Sequence, residues 1–159
     1  MGKKKYYLAY GSNLNIDQME YRCPTAKIAG YSVLKDYRLL FRGSRTGSYL
    51  TIEPCKGSNV PVGVWEIEPE DERSLDRYEG FPHFYYKRFL PVHVCSYAFD
   101  EDYEFDTDAM VYVMHEDRPL GVPTSDYLLT CHQGYVDFGF ATRYLLDAVA
   151  ASRKGARIA

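Results

Sequence analysis

The stretch KYYLAYGSNLNIDQM, residues 5–19, sets the terms for the rest of the chain. An apolar, tyrosine-rich run stops at Tyr10-Gly11-Ser12-Asn13, and Leu14 leads at once into a helical pattern. Residues 5–10 are predicted as a strand and 15–22 as a short helix, capped by Asn13 or Asn15. Gly11 is free to take a positive φ, which would turn consecutive backbone N–H groups toward one point. A concavity of that kind, directly before a helix, suits a carboxylate or a phosphate. The same residues also suit an ordinary strand-to-helix turn, and both readings stand at this point. The glycine motifs of nucleotide-binding loops do not occur here.

Working outward, strand-like runs at 27–34, 37–41, 49–52 and 60–67 are rich in aromatic and β-branched residues. Turn residues such as Gly43, Gly47 and the KGSN segment bound them. A helix is predicted from Pro69, with acidic residues in its first turn and Gly80 just past its end. Residues 84–95 alternate as a strand, and 109–114 form another. The acidic segment 100–108 between them reads as a solvated loop, because the glycine and spacing of an EF-hand are missing. From Pro123 the chain reads as two helices broken near 137–139. Regular βαβ alternation is absent, so the expected class is α+β, a curved, largely antiparallel sheet or barrel with helices packed around it.

The chain has 159 residues, with 46% hydrophobic and 26% charged. A single domain over 1–159 with a full hydrophobic core is the expectation. Sixteen tyrosines and eight phenylalanines supply apolar area, and the tyrosines add polar tips that suit a wet pocket or an interface as well as a core. The net charge of −3 argues against a nucleic-acid surface. No run is long enough to span a membrane and no secretory signal is visible, so a cytoplasmic protein is expected. Cys23, Cys55, Cys95 and Cys131 contain no C-x-x-C pair and read as thiols packed as small apolar groups. His83, His93, His115 and His132 lack metal-ligand spacing, and no metal site is expected.

Glu79 is the second candidate for chemistry. It follows Leu75 by one turn and shares the face that Leu75 buries. It also stands at the helix C-terminus, where the dipole disfavours negative charge. Burial and dipole both raise a carboxyl pKa toward the range of a general base at neutral pH. A solvent-facing glutamate in a frayed last turn is the competing reading. Tyr127, Cys131 and Tyr135 form a helical stripe that reads as core, although a tyrosine near a helix start can reach a pocket. Cys131-His132 is a neighbour pair and reads as packing rather than a dyad.

Taken together, YGSNL at 10–14, VPVGVWEI at 60–67, LDRYEGFPHFYYKR at 75–88 and GVPTSDY ending at Tyr127 resemble the γ-glutamylcyclotransferase family in order and content. The resemblance covers residues 6 to about 139. It implies a small mixed β-barrel flanked by helices. It also implies a loop, Tyr10, Gly11, Ser12, Asn13 and Leu14, that cradles the α-carboxylate and amine of a γ-glutamyl group. Glu79 would be the acid/base residue, Tyr127 would line the same pocket, and no metal or organic cofactor would be used. The implied reaction closes the γ-glutamyl group to 5-oxoproline and releases an amine.

Tyr85 and Tyr86 both fit the family tyrosine that follows the glutamate. Glutathione-specific relatives carry Leu-Ile after the loop serine, so Asn13-Leu14 points away from them. A non-catalytic module binding a small carboxylate on the same fold is the alternative, and retention of Glu79 favours the enzyme. The partner expected is a small γ-glutamyl compound, with the chain a monomer or homodimer. Leaving-group contacts are expected from segment 100–108 and the C-terminal helix.

Overall fold

The computed structural model describes residues 4–44, 47–97 and 104–158. The elements run β1 (Lys5–Ala9), a 3-10 turn (Ser12–Leu14), α1 (Ile16–Arg22), β2 (Lys27–Ser44), β3 (Gly47–Ile67), α2 (Pro69–Glu79), β4 (Tyr85–Cys95), β5 (Glu104–Met114), α3 (Ser125–Phe138) and α4 (Arg143–Ile158). The five strands close into a barrel in the order β1-β3-β2-β4-β5. Neighbours pair antiparallel except β1 and β5, which meet in parallel at Tyr7 and Met110. Leu8, Val64, Val94 and Met110 are fully buried at its centre. Each such side chain contributes about 1.5–3 kcal/mol by leaving water. The α+β barrel expected from the element order is the observed architecture.

Two expectations fail in detail. The runs at 27–34 and 37–41 are one strand, β2, and those at 49–52 and 60–67 are one strand, β3. The register slips between Lys35 and Tyr37, where Asp36 takes φ 64. A bulge of this kind bends a strand without ending it, which is how a long strand turns a barrel corner. The Asp36 carboxylate accepts the Gly57 N–H at 2.9 Å and holds that bend across the pair. The second failure is the acidic segment. Residues 104–108 belong to β5 and pair with β4 from Cys95–Glu104 to Pro91–Asp108, while 100–103 lie outside the described residues. Glu104, Asp106 and Asp108 face solvent while Phe105 and Thr107 are half-buried, so the stretch alternates as an edge-facing strand does.

Helix α2 starts with Pro69 at its first turn, a reciprocal Glu68–Asp71 capping box, and Gly80 in the left-handed region as its terminator. Leu75 is buried beneath it. Behind it, Lys87 bridges Glu72 at 2.5 Å and Asp76 at 2.8 Å, and Tyr112 donates to Asp76 at 2.6 Å. These contacts fix the last turn of α2, and therefore Glu79, against β4 and β5. On the other flank, α4 packs on β2, where Ser152 Oγ accepts the Phe41 N–H at 2.8 Å. All four cysteines are free thiols; Cys23 and Cys131 are buried as expected, whereas Cys55 and Cys95 are only partly so. Among the described residues, no helix is long and apolar enough to cross a membrane.

Candidate active site

A cavity of about 430 Å³ opens where the β1–α1 turn meets the end of α2. Seven of the sixteen tyrosines line it, among them Tyr7, Tyr10, Tyr78, Tyr85, Tyr112 and Tyr127. Gly11, Ser12, Asn13 and Glu79 line it too, so the turn and the carboxylate face one space. Leu14 is fully buried and anchors the turn from below.

The turn is built by its own side chains. Asn15, not Asn13, caps α1, its side chain accepting the Gln18 N–H at 3.1 Å. Asn13 is instead buried, donating to the Tyr7 hydroxyl at 2.9 Å while its carbonyl accepts the Trp65 indole N–H at 3.1 Å. Ser12 Oγ and the Tyr78 hydroxyl are 2.9 Å apart, which ties the turn to α2. Ser12 and Asn13 open the 3-10 turn, where N–H groups have no intrahelical acceptor. Gly11 does not adopt the positive φ expected of it; its φ is −132°. The glycine is required for space, since a Cβ there would lie 3.3 Å from both the Tyr127 hydroxyl and Leu50 Cδ1.

Glu79 stands in the cavity wall next to Tyr78, the residue tied to this turn. Burial pushes its carboxyl up to about 8, against a smaller lowering by the Arg22 guanidinium. Among the described residues the carboxylate takes no hydrogen bond, which leaves its oxygens to a donor entering the cavity. Burial also raises the hydroxyls of Tyr7, Tyr10, Tyr85 and Tyr127 well above the ordinary tyrosine value, so they remain neutral. Beyond Tyr7, which the Asn13 side chain holds, they are fixed through the backbone: Tyr10 donates to Tyr112 O at 2.7 Å, and Tyr85 to Leu50 O at 2.7 Å. Tyr127 accepts the Leu50 N–H at 3.1 Å. The result is a cup of neutral aromatic hydroxyls in which Glu79 is the carboxylate and Arg77 the cation of the wall.

A family model described as "Gamma-glutamyl cyclotransferase, AIG2-like" matches residues 7–129. The chain belongs to that family. A gamma-glutamylcyclotransferase from Bos taurus is 34% identical over 86 residues, covering 50% of this chain and 46% of the relative. The Homo sapiens gamma-glutamylcyclotransferase is 33% identical over 81 residues, 46% of this chain and 43% of the relative. These matches span just under half the length of the curated relatives. A solved gamma-glutamyl cyclotransferase superposes with a TM-score of 0.71 at 26% identity, over 92% of this chain and 86% of its own. The crystal structure of uncharacterized protein loc79017 from Homo sapiens superposes with a TM-score of 0.73 at 25% identity, over 92% of this chain and 87% of its own.

For this family member, the structure brings Tyr10, Gly11, Ser12, Asn13, Glu79 and Tyr127 together around one cavity, with Leu14 beneath. Of the two adjacent tyrosines, Tyr85 faces the cavity, while Tyr86 points away to Glu116. Of the segments expected to meet the leaving group, neither residues 104–108 nor α4 is among the described residues that line this cavity, and 100–103 lie outside the described residues. Tyr49, Arg77 and Phe84 line it instead. Tyr7, Tyr78, Tyr112 and Arg22 were not legible as site residues. Tyr78 adjoins Glu79 and Tyr7 shares the inward face of β1, but only the barrel closure brings Tyr112 alongside them.

Proposed function

We propose that this chain is a cyclotransferase acting on a γ-glutamyl amine or peptide, with Glu79 as general acid and base and no cofactor. The observation that carries this reading is a carboxyl raised to about 8 in the same cavity as the Gly11–Ser12–Asn13 turn. The turn would hold the α-carboxylate and amine of the γ-glutamyl group. Glu79 would take a proton from the α-ammonium, and the freed nitrogen would attack the γ-carbonyl carbon. That C–N bond forms as the carbonyl oxygen gains charge, and free N–H groups of the turn suit that oxygen. As the intermediate collapses, the bond to the leaving nitrogen breaks, Glu79 returns the proton to it, and the second proton shed by the ring nitrogen leaves with the amine as its ammonium form. The products are 5-oxoproline and an amine.

Because attacker and target belong to one molecule, holding the curled conformer can lower the barrier by about 7–11 kcal/mol. A raised pKa suits both halves of the proton transfer, since a strongly acidic carboxyl would be a poor base. Substrate binding tunes it further, because an ammonium against the carboxylate favours its ionised form. The test is 5-oxoproline release from a panel of γ-glutamyl amines by the native chain and by Glu79→Gln. Release lost by several orders of magnitude in the variant supports the reading. Equal release by both removes Glu79 from the chemistry. Binding of γ-glutamyl compounds with no release by either would favour a carboxylate-binding module.

A further inference from the structure

The far end of the β4–β5 ribbon carries a second group of reactive side chains, none of which lines the cavity. In the strand register, His93 stands opposite Asp106 and Cys95 opposite Glu104. Side chains two apart on a strand share a face, so all four project outward as a two-by-two patch. Leu90, Val92 and Val94 point inward between them. The ligand atoms of His93, Cys95 and Glu104 lie within 4.8 Å of one another. His93 Nε2 meets the Glu104 carboxylate at 2.9 Å, and Nδ1 meets Asp106 at 2.8 Å.

From this geometry we infer that His93 Nε2, Cys95 Sγ and Glu104 Oε form a site for one zinc-class divalent cation, with Asp106 holding His93 in place. Imidazole, thiolate and carboxylate together form the mixed nitrogen, sulfur and oxygen set that such ions take. The metal would replace the proton on Nε2 and that on the thiol, and water would complete a tetrahedron. Bonds of about 2.0–2.3 Å put tetrahedral ligands roughly 3.3–3.8 Å apart. The present spacing therefore closes by side-chain rotation of about an ångström. The Asp106–Nδ1 contact is the outer carboxylate that fixes ring orientation and tautomer in metal-bound histidines. Spacing along the chain could not find this set, because its members meet only across the strand pairing. The site is independent of the cyclotransferase reading and would pin the end of the ribbon rather than enter the reaction.

The test is a Co²⁺ titration of the reduced, metal-free intact chain. One equivalent should bring a thiolate-to-cobalt charge-transfer band in the near ultraviolet and the intense visible bands of four-coordination, and Zn²⁺ should displace both. Cys95→Ser should abolish the charge-transfer band, while Cys55→Ser, altering the other partly exposed thiol, should leave it intact. His93→Gln and Glu104→Gln should weaken binding at least tenfold. Asp106→Asn should weaken it by about 10–100-fold with the band retained. No band in the native chain, or one that survives in Cys95→Ser, would overturn the site. Unchanged affinity in Asp106→Asn would overturn the positioning role.

Discussion

The Arg22 guanidinium sits over the Tyr78 ring, its central carbon 3.4 Å from the ring centre. The same side chain donates to Asn13 Oδ1, and to Gln18 Oε1 at 2.9 Å. Arg22 therefore joins the Gly11–Asn13 turn to the last turn of α2, and its charge is the cationic influence on Glu79. Arg22→Gln removes that charge, so the Glu79 pKa rises and the acid limb of kcat/KM moves to higher pH, by up to about one unit. Arg22→Lys keeps charge but loses the planar guanidinium, and should restore the limb more than the rate. A limb that stays in place in Arg22→Gln would confine Arg22 to bracing the turn.

Glu79 also makes stability depend on pH. Its carboxyl has an ordinary value of 4.5 and a folded value of about 8. Between those values the unfolded chain holds fewer protons than the folded one, so stability falls as pH rises. The contribution is fully present below pH 4.5 and is lost as pH passes through about 8. Glu79→Gln lacks this loss. At pH 8.5 it should be more stable than the native chain by about 1–3 kcal/mol, discounted for the partial exposure of the residue, with the gap closing at acid pH. Thermal melts at several pH values read this directly.

Gly11 and Tyr127 should be coupled. Gly11→Ala places a Cβ 3.3 Å from the Tyr127 hydroxyl and Leu50 Cδ1. Tyr127→Phe leaves the Leu50 N–H without its acceptor, costing about 1–2 kcal/mol. It also removes the atom that the new methyl would press upon. The double variant should be less destabilised than the sum of the singles by at least about 0.5 kcal/mol in denaturant melts. Strict additivity would mean that the turn yields elsewhere.

Gly134 lets α3 lie directly on the turn: a Cβ there would be 2.5 Å from Asn15 N and 2.6 Å from the Leu14 carbonyl carbon. Alanine ordinarily favours a helix over glycine by about 1 kcal/mol. Here the clash with fixed backbone should dominate, and Gly134→Ala should lose about 2–3 kcal/mol. KM should rise as well if the turn holds the γ-glutamyl group as proposed, because the displaced segment adjoins that turn.

Much of this architecture was legible because local signals agreed. Proline, acidic first turn and terminal glycine marked α2, and its buried Leu75 placed Glu79 on the inner face. What escaped was non-local. The gap between the runs ending at 34 and starting at 37 looked like a turn because a bulge and a turn use the same residues, and only pairing with β3 separates them. The acidic composition of 104–108 masked its period-two alternation. The tyrosine excess signalled a wet pocket, but which tyrosines line it depended on barrel closure, as with Tyr112 from β5 beside Tyr7 from β1. Gly11 was singled out for its handedness, whereas the structure needs its small size.

Turnover of a γ-glutamyl amine in ¹⁸O-labelled water distinguishes intramolecular attack by the substrate's own amine from hydrolysis. With attack by the amine, 5-oxoproline and free amine form in equal amounts and the 5-oxoproline carries no label. Glutamate carrying ¹⁸O in its γ-carboxylate would mean that water, not the amine, attacks the γ-carbonyl, and would overturn the proposed reaction.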